Sequence, residues 1–160
     1  FLFAIGWAGI FARRFYAAPH FLEPWPVVAE SAADSVAQGG QVLTNSLPLL
    51  YDLNIALARR GLPADPLPGW TTNPAVFSLY HAPLPPNWAR GQVLFVRGVN
   101  PIARQWTDEA YTWLLAHCRL QSTRNLLPDP AFQLKNRFFP GTLVSPYRIT
   151  IDRFLCPASP

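Results

Sequence analysis

The sequence predicts an α/β domain: a small mixed sheet with flanking helices in Rossmann-like layering, antiparallel strands at its C-terminal edge, and the end of a transmembrane helix in front of it. Three observations carry this. Segments patterned as helix, strand and helix follow one another from Pro24 to Gly61, the grammar of α/β folds. Residues 92–97 are apolar without alternation, as in a strand covered on both faces. Residues 147–153 alternate, as in a strand with one wet face.

The chain has 160 residues, about one domain's worth. Half are apolar and 14% are charged, against roughly 25% in an average soluble domain, so there is ample core and a thinly charged surface. The 18 prolines predict short elements and stiff connections. Net charge is +4, and Arg13 and Arg14 supply two of those charges. The remainder is nearly balanced, which argues against a nucleic-acid footprint and its clustered basic face. No Met occurs, even at position 1, so the chain reads as a piece of a longer protein.

Residues 1–12 carry no charge and are followed by Arg13, Arg14, Phe15 and Tyr16. Twelve residues are too few to span a bilayer, which takes about 20. Three readings fit: the tail of a transmembrane helix, a buried or interfacial helix, or a signal-peptide apolar region. The last lacks a basic start and a clear cleavage site. The first is carried forward. It makes residues 1–22 the end of a membrane helix with its juxtamembrane linker, and 23–160 a single soluble domain. Trp7, Phe15 and Tyr16 suit the bilayer interface, where Arg13 and Arg14 would snorkel to lipid phosphates. By the positive-inside rule these arginines favour a cytoplasmic domain.

Pro24 and Pro26 mark a helix start, and Trp25, Val28, Ala29, Ala32 and Val36 recur at helical spacing until Gly39-Gly40 stops the helix. A short strand is expected at 41–45. Ser46 then reads as an N-cap with Pro48 in the first turn. Leu50, Tyr51, Leu53, Asn54, Leu57 and Ala58 form the next stripe, ended by Arg59-Arg60-Gly61. Residues 62–90 show little period, and 75–80 fit a strand or a short helix equally. After the strand at 92–97, Thr107 reads as the N-cap of a helix with Asp108 and Glu109 in its first turn, and His117 closes it. An extended segment at 118–126 and a short helix opened by Asp129-Pro130 follow. The last two strands would pair antiparallel at the sheet edge, with Ile149 and Ile151 on one face of the final strand and Thr150, Asp152, Phe154 and Cys156 on the other, wetter face.

Most enzyme signatures are absent: there is no nucleophile elbow, phosphate loop, dinucleotide turn or Cys-x-x-Cys. His20, His81 and His117 are too scattered for metal-ligand spacing. No catalytic residue, metal or cofactor is therefore expected. The most ligand-like place is Asn45-Ser46, where a strand gives way to a helix. If the strands at 41–45 and 92–97 are parallel neighbours, Arg97 and Asn100 would converge with Asn45 and Ser46 in a shallow, anion-friendly patch. The bland alternative for Ser46 is an N-cap alone. Cys118 and Cys156 fall at ends of two strands that antiparallel pairing would bring together, so they form either a disulfide or a pair of free thiols.

The run Ile10-Phe11-Ala12-Arg13-Arg14-Phe15-Tyr16, then Pro24-Trp25-Pro26, then Val42-Leu43-Thr44-Asn45-Ser46 resembles the end of the membrane part of bacterial dolichyl-phosphate-mannose–protein mannosyltransferase-like (GT-C) glycosyltransferases. The resemblance implies a C-terminal, extracytoplasmic α/β domain of a multi-spanning enzyme that uses a lipid-phosphate-linked sugar. It implies that the catalytic carboxylate lies in a loop outside this chain, and that this domain supports acceptor binding or assembly. The implied partners are membrane lipid through residues 1–16 and the rest of the parent protein, with the soluble part periplasmic or extracellular. A small soluble hydrolase-like enzyme and a membrane-tethered sensor or binding domain are the alternatives.

Overall fold

The structure is a computed structural model that describes residues 24–65, 70–100, 102–126 and 148–157. The expectations for residues 1–22, the short helix opened by Asp129-Pro130 and the start of the last strand at Tyr147 lie outside the described residues. The described elements belong to one compact unit, Trp25–Leu127 with Tyr147–Pro160. A second unit, Phe1–Pro24 with Pro128–Pro146, lies outside the described residues apart from Pro24. Among the described residues, no helix is long and apolar enough to cross a membrane.

Helix α1 spans Trp25–Ala37 and buries Trp25, Val28, Ala29, Ala32 and Ala33. Gly39, at φ +82°, ends it: the Gly39 N–H reaches Val36 O and the Gly40 N–H reaches Ser35 O, which satisfies carbonyls of the last turn. Strand β1 is Gln41–Thr44. Helix α2 is Leu47–Arg59, capped by Ser46, whose Oγ accepts the Leu49 N–H at 3.4 Å. Arg60 follows and ties the two helices together through Glu30 and Asp34 of α1, each at 2.7 Å. Hydrogen bonds to Asp34 and then Glu30 raise the Arg60 pKa above its ordinary value, so the guanidinium stays charged.

Residues 75–80, open between strand and helix in the sequence, hold strand β2, Val76–Ser78. Strand β3 is Gly91–Arg97, helix α3 is Arg104–His117, strand β4 is Arg119–Leu126 and strand β5 is Ile149–Cys156. The five strands form one mixed sheet in the order β2-β1-β3-β5-β4. β1 runs parallel to β2 and β3, while β5 runs antiparallel to β3 and β4.

Alternation along the strands splits the core in two. Val42, Leu94, Val96 and Ile149 join α1 and α2 on one face. Leu43, Val93, Phe95 and Phe154 join Ala110 and Leu114 of α3 on the other. Residues 93–96 are buried throughout because both of their faces are covered, which explains their unbroken apolar run.

Three local expectations change. Tyr51 and Ala58, expected on the apolar stripe of α2, are exposed, because the buried face is that of Leu50, Leu53, Asn54 and Leu57. Thr107 does not cap α3 but sits inside it, its hydroxyl donating to Ala103 O at 2.7 Å. The helix starts earlier because Asn100 Oδ1 accepts the N–H groups of Ile102 and Ala103 and fixes the turn leading into it. Asp108 and Glu109 consequently fall beyond the first turn. In β5, the expected wet face of Asp152, Phe154 and Cys156 is buried, whereas Arg153 and Leu155 are exposed. β5 lies between β3 and β4, so α3 covers that face, and the Asp152 charge is met inside the protein.

Candidate functional site

The strand order reverses at β1: the chain goes from β1 to β2 on one side, then to β3 on the other. Loops leaving the carboxyl ends of β1 and β3 diverge there, and in open α/β sheets such a switch point commonly forms a crevice for ligands. Asn45 follows β1, and Gly98 follows β3. The structure brings them together through side-chain to backbone bonds. Asn45 Oδ1 accepts the Gly98 N–H at 2.8 Å, and Asn45 Nδ2 donates to Gly98 O at 3.1 Å and to Thr107 Oγ1 at 3.2 Å. Asn100 Nδ2 donates to Asn45 O at 2.7 Å. The amides of Asn45 and Asn100 thus close the crevice and hold the β3–α3 loop against β1.

Ser46 lies apart from the open space. It is buried, its Oγ caps α2 and its N–H donates to Thr44 Oγ1 at 3.1 Å. Gly98 is close-packed on this side: a Cβ there would come 3.2 Å from Trp25 Cη2. No side chain fits between β3's end and the α1 indole without displacing it.

The open groove lies on the other side of the Asn45 clamp and has a volume of about 490 Å³. Asn45, Arg97, Gly98, Asn100, Arg104, Thr107, Asp108, Arg148 and Thr150 are among the residues that line it. Of the four residues expected to converge, the structure gathers Asn45, Arg97 and Asn100 at this groove and turns Ser46 into a cap. Arg97 is held on two sides. Its Nη2 donates to the buried Asp152 carboxylate, and its guanidinium stacks 3.9 Å from the Tyr111 ring centroid of α3. Asp152 also accepts the Thr123 hydroxyl at 2.7 Å, so strands β3, β4 and β5 meet at one charge. Arg97 Nε is buried and makes no hydrogen bond among the described residues.

Arg104 and Arg148 escaped the sequence reading. Arg104 opens α3, and its Nε lies 3.8 Å from Asp108, with both side chains well exposed. Arg148 precedes β5. Because β5 runs antiparallel to β3, the start of β5 lies beside the end of β3. The usable signal was that antiparallel partnership: had β5 been paired with β3, Arg148 and Thr150 would have fallen at the Arg97 end. The earlier start of α3 likewise moves Arg104 into the loop edge.

Cys118 and Cys156 form a disulfide with Cα atoms 4.2 Å apart. Arg119 is paired with Leu155, so the next step of the ladder places Cys118 opposite Cys156. The bond ties the end of α3 to the end of β5, opposite the groove along the sheet. His117 is exposed, with Nδ1 2.9 Å from Trp113 O, and His81 stacks on Trp70 with ring centroids 4.4 Å apart. Among the described residues, no three His, Cys, Asp or Glu side chains gather as a metal site.

These features define a mixed α/β domain with an arginine-lined groove at its switch point and a disulfide at the other end. No family model, curated protein or solved structure matches the chain.

Proposed function

We propose that this chain is a non-catalytic, extracytoplasmic binding domain with Rossmann-like layering, held at a membrane by its N-terminal apolar segment. In this reading it belongs to a multi-spanning glycosyltransferase that uses a lipid-phosphate-linked sugar, and it supports acceptor binding or assembly. The carrying observation is the Cys118–Cys156 disulfide, because such bonds persist in oxidising compartments and are rare in the cytosol. It outweighs the two arginines of the positive-inside argument, since two charges beside one segment are a small part of the orientation signal.

The groove supports binding over catalysis. The polar side chains of Asn45, Asn100, Thr107 and Thr150 are engaged in bonds that hold the fold. Arg97, Arg104 and Arg148 against Asp108 and Asp152 leave the groove one positive charge in excess, which suits recognition of an anion. The layering is supported by the packing of α1 and α2 on one face and α3 on the other.

Two measurements test the reading. The 160-residue chain directed to an oxidising compartment should resist thiol alkylation until it is reduced. Incubated with a polyprenyl-phosphate sugar and an acceptor, the same chain should transfer no sugar. Free thiols in the folded protein would remove the compartment argument, and turnover would overturn the non-catalytic assignment.

A further inference from the structure

Two of the most exposed aliphatic side chains among the described residues stand at the groove, Val99 in its lining and Ile102 in the same loop. Val99 is 76% exposed and Ile102 is 73% exposed, both in the loop that carries Asn100. Neither packs in either core. Next to them, Arg104 and Arg148 stand exposed at the groove wall with Arg97 behind. Against three arginines stand Asp108 on the wall and the buried Asp152 under Arg97, leaving one positive charge in excess. Aliphatic tips beside a cationic groove match a bilayer surface, where acyl chains lie just beneath a layer of phosphates.

A second observation gives the orientation. Trp25, the first residue of α1, packs by Gly98 and Ser46 at the carboxyl ends of β3 and β1. The chain therefore enters the domain at the groove's own edge of the sheet. In the membrane-tethered reading, the tether joins the domain at this edge.

We propose that this edge is a membrane seat: a lipid phosphate occupies the groove between Arg104 and Arg148, and Val99 and Ile102 enter the acyl boundary. The seat rests on the membrane-tethered reading but uses residues separate from 1–16.

The test uses the 160-residue chain in phosphatidylcholine nanodiscs, with or without about one-fifth phosphatidic acid, and reads amide hydrogen exchange. Phosphatidic acid should slow exchange at Val99 and at Ile102 through Gln105 while leaving Leu50 and Leu53 of α2 unchanged. The double variant Arg104→Gln/Arg148→Gln should lose about 25-fold of that added protection, about fivefold for each arginine. Val99→Ser/Ile102→Ser should lose part of it; both pairs are exposed, so the variants fold. Inorganic phosphate alone, added to phosphatidylcholine discs, should give little protection. Equal protection by inorganic phosphate, or full protection in Val99→Ser/Ile102→Ser, overturns the seat and leaves the anion-binding groove standing; full protection in Arg104→Gln/Arg148→Gln overturns both. No protection by phosphatidic acid or by inorganic phosphate overturns both the seat and the binding role of the groove.

Discussion

The two halves of the sheet are stabilised by different means. The parallel half, β1 and β2 with α1 and α2, is built on apolar stripes: Leu49, Leu50, Leu53 and Leu57 lie fully buried against α1. The antiparallel half, β5 and β4 with α3, buries a charge at Asp152, carries the disulfide, and has an edge strand exposed at nearly every residue. Among the described residues, one helix covers the α3 face of this half, and β4 contributes little apolar surface to it. The comparison teaches that where helix cover is thin, register is fixed by directional contacts, namely a salt bridge, a hydroxyl and a covalent bond. In the parallel half the ion pairs of Arg60, at the end of α2, with Glu30 and Asp34 lie outside the core, and the core between sheet and helices is apolar.

The largest expected effect tests that division. Removing the disulfide with Cys118→Ser/Cys156→Ser opens a loop of 38-residue separation and should destabilise by about 3–4 kcal/mol in the chain-entropy model. Denaturant unfolding gives the total. Hydrogen exchange gives its location, with protection falling first in β4 and β5. Equal loss in β1 and β2 would show that the sheet opens as one body and would break the comparison.

A smaller effect sharpens it. Asp152→Asn leaves the Arg97 guanidinium without its counter-charge beside a closed core. Breaking a fully buried pair costs about 3–5 kcal/mol, and Arg97 is about a quarter exposed, so about 2–3 kcal/mol is expected. Replacing both members, Arg97→Met/Asp152→Leu, should recover most of this loss in the same denaturant titration. Failure to recover would mean that the pair holds the register in a way apolar packing cannot replace.

The smallest effect lies in the parallel half. Ser46→Ala removes the one side-chain acceptor at the start of α2 and should lower stability by about 1 kcal/mol, seen as a shifted midpoint at unchanged slope. Ser46 lines no part of the groove, so anion binding should persist in this variant. Loss of binding would return Ser46 to the site.

Much of the parallel half was legible because its signals are local. The stripe of α1, the Gly39 stop, the Ser46 cap and the doubly buried run of β3 each follow from neighbours within one element. Thr107 misled for a local reason too. Threonine followed by two acids imitates an N-cap, but Asn100 had already taken the N–H groups of the preceding turn. In β5, alternation was visible, yet which face was wet depended on the position of α3, which no period within the strand encodes.

The sequence by itself determined the α/β class, the positions of most of its helices and strands, and the antiparallel meeting of the last two strands, because these rest on periodicity, caps and chain reversal. The tertiary structure alone decided the groove. It set β5 between β3 and β4, which carried Arg148 to the end of β3 and buried Asp152 under Arg97. It also turned the polar atoms of Asn45 and Asn100 inward as a clamp, leaving the cationic wall to Arg97, Arg104 and Arg148. The physical reason is distance along the chain. Asn45 bonds across 53 residues and Arg97 across 55, and contacts between such remote residues are fixed by strand order, which local patterning leaves open.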